Sequence, residues 1–250
     1  MIYSLFATFT LSKFRKKETI KFLHDNLFFT PAWIISSKTN EDGNYYTSEV
    51  MNMVHDNERL SLFDKPLIDD FADNALIISY IVENNLATVN LTSDIPFAEL
   101  FVDKIFQFYS ESDALINCAY FDSIDASNES EIFESNYDLI GKSRENLKFV
   151  KHPYLGKIID TSLNYGRRTL VKGLQLVAAS ELIFGIESKS IVDFDKLRNL
   201  AFAQKVVENH NGSIYIKLFD IVEKADSPQI RKIQERFWKD LDLKIIELNQ

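Results

Sequence analysis

The sequence predicts an α+β fold of mainly antiparallel sheets covered by helices, and three observations carry that prediction. Strand-like runs follow one another through short turns, as Ala75–Val82 and Leu86–Thr92 do across Glu83-Asn84-Asn85. From Asn74 to Asp122 the order strand, strand, helix, strand suggests a helix packed on one face of a mainly antiparallel sheet. The same vocabulary, sheet plus covering helix, occurs in both halves without a convincing internal repeat. The expected organisation is therefore two related lobes, 1–140 and 141–250, with a single split domain as the alternative.

The elements are justified in chain order. Ile2–Thr10 is β-branched and aromatic, which suits a strand. Lys16 to Leu27 reads as a helix, because Ile20, Leu23 and Leu27 recur on one face. Pro31–Ser37, carrying Trp33, is a second strand, and Thr39–Ser48 is a polar loop turning at Asp42-Gly43-Asn44. A short helix is expected within Glu49–Asp73. After the hairpin, Asp94-Ile95-Pro96 should start a helix, as a polar cap with an early proline suits a helix N-terminus. Phe97, Leu100, Phe101, Ile105 and Phe108 would form its buried stripe. Ala114–Phe121 is apolar enough for a buried strand and contains the single cysteine, Cys118.

The second half is read in the same way. Phe121–Gly141 is polar and acidic, a linker or a large functional loop. Leu155–Ser162 and Thr169–Val177 are strand candidates, and Ala178–Phe184 reads as a short helix stopped by Gly185. Asp193–Leu200 is a helix with an aspartate cap. Gln204–Glu208 and Ser213–Phe219 flank Asn209-His210-Asn211-Gly212, whose Asn-Gly pair is a strong hairpin signal. Ser227-Pro228 opens the last helix, with Ile230, Ile233, Phe237 and Leu241 inward.

Composition excludes several functions. Hydrophobic residues make up 46% of the 250, enough for a packed core. Only seven glycines are present, which argues against glycine-rich phosphate loops. There is no G-x-S-x-G, Walker loop, H-E-x-x-H or C-x-x-C. His24, His55, His152 and His210 are far apart, with no metal-like pairing. No cofactor or metal is expected. One cysteine allows no internal disulfide and suits a reducing cytoplasm. The basic run Lys13–Lys17 follows the apolar start, the reverse of a signal peptide. No apolar run is long enough to span a membrane.

Charge is segregated. Between Val54 and Asp138 there are 18 acids against three bases, a net charge of −15 in a chain of −9. The rest, 19 acids against 25 bases, carries +6. Such a field disfavours nucleic acid and anionic membranes and favours a basic protein. The loop Asp122–Asp138 concentrates it in Asp122, Asp125, Glu129, Glu131, Glu134 and Asp138, joined by Asp64, Asp69, Asp70 and Asp73. This group is a solvated surface, a binding surface for a basic partner, or a calcium site; its spacing lacks the EF-hand pattern. Lys142–Lys172 reverses the sign, with eight bases against Glu145 and Asp160.

Two stretches carry a family resemblance. They are Tyr3-Ser4-Leu5-Phe6-Ala7-Thr8-Phe9 with its following helix, and the C-terminal third, with Leu174–Val177, Glu181-Leu182-Ile183-Phe184-Gly185 and Asn211-Gly212-Ser213-Ile214-Tyr215-Ile216-Lys217-Leu218-Phe219. Together they resemble the immunity proteins of bacterial polymorphic and type VI secretion toxins, near the immunity protein 52-like and related type VI immunity families. The resemblance implies a cytoplasmic, non-enzymatic antitoxin that binds the toxic domain of a secreted effector, Rhs-type among them, and occludes its active site. It assigns no functional residue. The alternatives are a small enzyme with a carboxylate-based site, and an assembly protein whose acidic half meets the basic segment of another copy.

Overall fold

The computed structural model describes residues 2–29, 33–36, 60–64, 74–122, 126, 134–135, 148–160, 164–171, 174–221 and 227–243. Its centre is a nine-stranded sheet in which each neighbouring pair is antiparallel. The first five strands are β1 (Tyr3–Thr10), β2 (Trp33–Ser36), β3 (Leu60–Phe63), β4 (Asn74–Ile81) and β5 (Leu86–Ser93). Next come β6 (Leu115–Asp122), β7 (Phe149–His152), β8 (Gly156–Ile159), β9 (Thr169–Val171) and β10 (Leu174–Leu176). The last are β11 (Glu181–Phe184), β12 (Lys205–Glu208) and β13 (Ile214–Lys217). The large sheet runs β2-β3-β4-β5-β1-β6-β11-β13-β12, while β7–β8 and β9–β10 are separate hairpins. Among the described residues four helices accompany them: α1 (Lys16–Asn26), α2 (Glu99–Ser110), α3 (Phe194–Arg198) and α4 (Pro228–Asp240). The architecture is α+β.

Side-chain parity decides where the cores lie. Along β1, Tyr3, Leu5, Ala7 and Phe9 are buried on one face with Leu76 and Ile78 of β4 and Ala87, Val89 and Leu91 of β5. Leu23 of α1 and Val102, Ile105, Phe106 and Tyr109 of α2 cover that face. Beyond β6 the core changes sides. Leu182 and Phe184 of β11 and Ile214 and Ile216 of β13 pack on the opposite face against Phe194 and Leu197 of α3 and Ile230, Phe237 and Trp238 of α4. The strand β6 serves both cores, with Cys118 and Tyr120 in the first and Ile116, Ala119 and Phe121 in the second. This explains a sequence contrast. Burial alternates along β5, which is covered on one face, but is continuous from Leu115 to Phe121.

The pairing of β6 with β11, Tyr120 opposite Glu181 and Asn117 opposite Phe184, makes residues of both halves one continuous sheet. The C-terminal hairpin turn also docks on the end of α2, where Asn211 Nδ2 and Ser213 Oγ donate to the Ser110 carbonyl.

Most expected elements form where local chemistry dictates. Asp193 caps α3 by accepting the Asp195 and Lys196 N–H groups at 2.9 and 3.3 Å. Ser227 caps α4 through Ile230 N–H at 3.3 Å, with Pro228 in the first turn. Gly212, at φ +81°, supplies the left-handed residue of the Asn-Gly hairpin.

Most of Glu49–Asp73, where a short helix is expected, lies outside the described residues; its described stretch Leu60–Phe63 is a strand, with Ser61 between Leu60 and Leu62. Three readings are corrected. Ala178–Phe184 is not helical. Its Ser180 N–H and Oγ donate to the Tyr120 carbonyl at 3.1 and 2.8 Å, and long-range pairing of Glu181–Phe184 on both edges overrides local propensity. Thr169–Val177 folds back on itself as the β9–β10 hairpin. The helix expected from Asp94 begins five residues later, at Glu99, with Ala98 as its N-cap and no side-chain cap. In place of that cap, Ser93 Oγ accepts Ile95 N–H at 3.2 Å and the chain stays non-helical through Ala98. The buried residues of α2 are Val102, Ile105, Phe106 and Tyr109, while Leu100, expected in the buried stripe, faces solvent. The loop Thr39–Ser48 lies outside the described residues.

Candidate interaction surface

Three strand ends meet at one corner of the sheet, because Tyr3 lies opposite both Ser93 and Asp122. The link from β5 to α2 crosses this corner and is fastened to it. Tyr120 Oη accepts the Phe97 N–H at 2.8 Å, and the two rings stack with centroids 5.4 Å apart. Phe28 and Phe101 complete an aromatic floor, at 4.9 and 5.6 Å from Phe97 and 5.3 Å from each other.

The same segments carry exposed apolar side chains: Leu100 is 68% exposed, Ile95 61% and Ile2 43%. They also carry carboxylates. Asp94, Glu99 and Asp103 are exposed, while Asp122 and Glu181 are half-buried. Glu99 in the first turn of α2 also complements the helix dipole, and Lys104 is the one base on that helix.

The electrostatics tie the corner together. Burial raises the Glu181 carboxyl above its ordinary value; the Tyr215 hydrogen bond and Lys217 oppose this, and Asp103 and Glu99 add to it. Tyr215 Oη donates to Glu181 Oε2 at 2.6 Å, and Phe106 of α2 packs edge-on against the Tyr215 ring at 5.6 Å. Tyr215 is raised by burial and by this acid. Tyr3 is raised by burial and then by Asp122, so that carboxylate acts on the same corner. Lys217 is paired with Asp220 at 2.8 Å, which leaves the acid sign dominant.

The acidic residues singled out in the sequence fall in different places. Asp122 lies at the corner. Asp64 closes the β3–β4 connection instead, where its Oδ2 accepts Asn74 N–H at 3.1 Å and Asn74 Nδ2 at 2.7 Å. Glu134 is exposed. Asp69, Asp70, Asp73, Asp125, Glu129, Glu131 and Asp138 lie outside the described residues. Sequence reasoning missed Glu181 and Tyr215, which reach the corner only through the β6–β11–β13 pairing. It also missed Leu100, which was expected inward and is exposed.

Other features offer less. Cys118 is wholly buried, which raises its thiol well above the usual value. His152 Nδ1 accepts the N–H groups of Tyr154 and Leu155, a turn-forming role. A cleft of about 530 Å³ at the opposite end of β1 is lined by Phe9, Lys13, Arg15, Glu18, Thr19 and Asp113 among others. Its Lys13 is held by Glu187 at 2.5 Å. Among the described residues, no group of three His, Cys, Asp or Glu side chains is placed to hold a metal ion. Among them, too, no helix is long and apolar enough to cross a membrane.

No protein-family model matches the chain, and no curated protein matches it. Its fold is similar to that of a solved structure, the Pseudomonas aeruginosa T6SS protein PA0821, with a TM-score of 0.51 over 96% of this chain and 73% of that chain. The likeness is one of fold. At 8% identity it transfers no residue.

Proposed function

We propose that this chain is a cytoplasmic, non-enzymatic immunity protein of type VI secretion that binds and blocks the toxic domain of a cognate effector. The observation that carries the reading is the exposed surface of α2 and of the segment before it, where Leu100 and Ile95 are apolar and open to solvent and the neighbouring Asp94, Glu99 and Asp103 are exposed acids. An apolar centre with a charged rim is the anatomy of a protein-binding site. The acid rim selects a basic partner and speeds its approach, while the desolvated centre supplies affinity. The fold likeness to a T6SS protein supports the context, and the resemblance of its terminal stretches supports the antitoxin role.

The test is co-expression of the chain with the toxin domain encoded beside it. Rescue of growth and co-purification are expected. Leu100→Ala should weaken the complex about tenfold, because burying a leucine that is 68% exposed when free is worth ~1–2 kcal/mol, and should leave thermal stability unchanged. Absence of both rescue and co-purification by the unaltered chain refutes the reading.

A further inference from the structure

The β7–β8 hairpin stands apart from the nine-stranded sheet and forms its own two-stranded unit. It pairs Phe149 with Ile159, Val150 with Ile158, Lys151 with Lys157 and His152 with Gly156. Ile159 is buried and marks its base, while the residues toward the tip emerge into solvent. Tyr154 is 91% exposed and Leu155 49%, with Val150 exposed on the flank.

A two-stranded hairpin is marginal in water unless something holds it. Here the tip is held from within. His152 Nδ1 accepts from Tyr154 N–H at 3.2 Å and from Leu155 N–H at 3.1 Å, and Gly156 at φ +77° closes the turn. The Lys157 ammonium sits 3.8 Å from the Phe149 ring centroid, and Asp160 N–H donates to the Lys148 carbonyl at 2.9 Å beyond the last pair. Tyr154 is thus presented on an ordered turn, so its burial by a partner would cost little further ordering.

The charge of this finger opposes that of the molecule. Lys148, Lys151 and Lys157 are exposed, and none forms an ion pair among the described residues. Lys151 lies directly across from Lys157, a like-charge pair that weakens the hairpin on its own. Within the fold Tyr154 meets the His152 ring at a centroid distance of 6.1 Å and stays 91% exposed, and Lys151 beside it has no ion pair among the described residues. This combination matches what a partner recess would take: an apolar floor for the ring and carboxylates at the rim.

We infer that the β7–β8 hairpin is a docking finger whose Tyr154 and Leu155 enter a carboxylate-rimmed recess of a protein partner, with Lys151 and Lys157 pairing with the rim. The finding of a basic finger on a protein of net charge −9 disfavours nucleic acid and anionic lipid as its target, since the rest of the molecule would be repelled. The inference rests on the inhibitor reading in identifying that partner with the toxin domain.

The experiment measures binding of the full chain and its variants to the toxin domain encoded by the adjacent effector gene, by calorimetry at two salt concentrations. Tyr154→Ala should raise Kd about 30-fold, the size of a hot-spot truncation. Tyr154→Phe should restore most of the affinity, and Lys151→Glu should weaken binding more at low salt than at high. Melting temperatures should match the unaltered chain, since Tyr154 touches little of the fold. If the unaltered chain binds and Tyr154→Ala binds equally well, the finger is refuted and the inhibitor reading stands. If the unaltered chain does not bind, both fall. Tyr154-dependent binding to phosphatidylglycerol vesicles or to a short DNA duplex would overturn the assignment to a protein recess.

Discussion

Replacing Gly185 by alanine should damage the junction on which the whole sheet depends. Gly185 follows β11 where that strand meets β6, and its N–H donates to the Ile116 carbonyl at 2.9 Å. Its backbone is ordinary, with φ −74° and ψ 163°, so alanine costs nothing in conformation. Space is the problem. An ideal Cβ there would lie 1.9 Å from the Leu115 carbonyl oxygen and 2.6 Å from its carbon. Ordinary contact begins at 3.4 Å, so the shortfall is 1.5 Å. The obstacle is backbone and cannot swing away like a flexible side chain. Separating the strands by that amount breaks the Gly185 hydrogen bond, worth ~1 kcal/mol net. It also disturbs packing around Leu115, Phe184 and Ile183, all essentially without solvent exposure, at ~1–3 kcal/mol. A total of about 3 kcal/mol is a large share of a typical stability of ~5–15 kcal/mol. For a chain of 250 residues it should lower the melting temperature by roughly 6–12 °C. Urea unfolding followed by circular dichroism measures it. A Gly185→Ala variant within about 0.5 kcal/mol of the unaltered chain, well below the cited overpacking cost, would refute the close-approach account. Gly156→Ala is the contrasting control. No atom lies within 4 Å of its added Cβ, so its cost comes only from φ +77°, ~1–2 kcal/mol confined to the hairpin.

Further outcomes follow from the buried groups. Cys118 should resist iodoacetamide in the native protein and react only as the chain unfolds, because burial holds its thiol protonated; complete labelling before unfolding would contradict its place in the core. Burial also raises the Glu181 carboxyl, so the folded protein holds that proton more tightly than the unfolded chain does. Its contribution to stability therefore falls as pH rises from the ordinary glutamate range through the raised folded value, and is constant above it. Glu181→Gln keeps an acceptor for Tyr215 and should remove that part of the pH dependence; denaturation midpoints with the same slope in both proteins would show that Glu181 is not the source.

Local chemistry made much of the fold legible. The alternation along β5, the aspartate and serine caps of α3 and α4, and the Asn-Gly turn are interactions among residues a few positions apart. Sequence spacing expresses them directly. The corner was only partly legible. Asp122 was visible within an acidic stretch, and the acids of α2 were counted in it. Glu181 and Tyr215 gave no such signal, since their meeting with α2 requires β11 and β13 to join the sheet beside β6.

By itself, then, the sequence determined the α+β class, most of the strands and helices, and a negatively charged central region. The tertiary structure decided which strands are neighbours, that the core changes face at β6, and that 181–184 pairs as a strand instead of 178–184 coiling as a helix. It also decided that Leu100 points outward and that Tyr154 stands at the end of a separate finger. The division has one physical cause. Caps, turns and periodicity are settled by nearby residues, whereas register, burial and field depend on chain segments that come together only when the sheet closes.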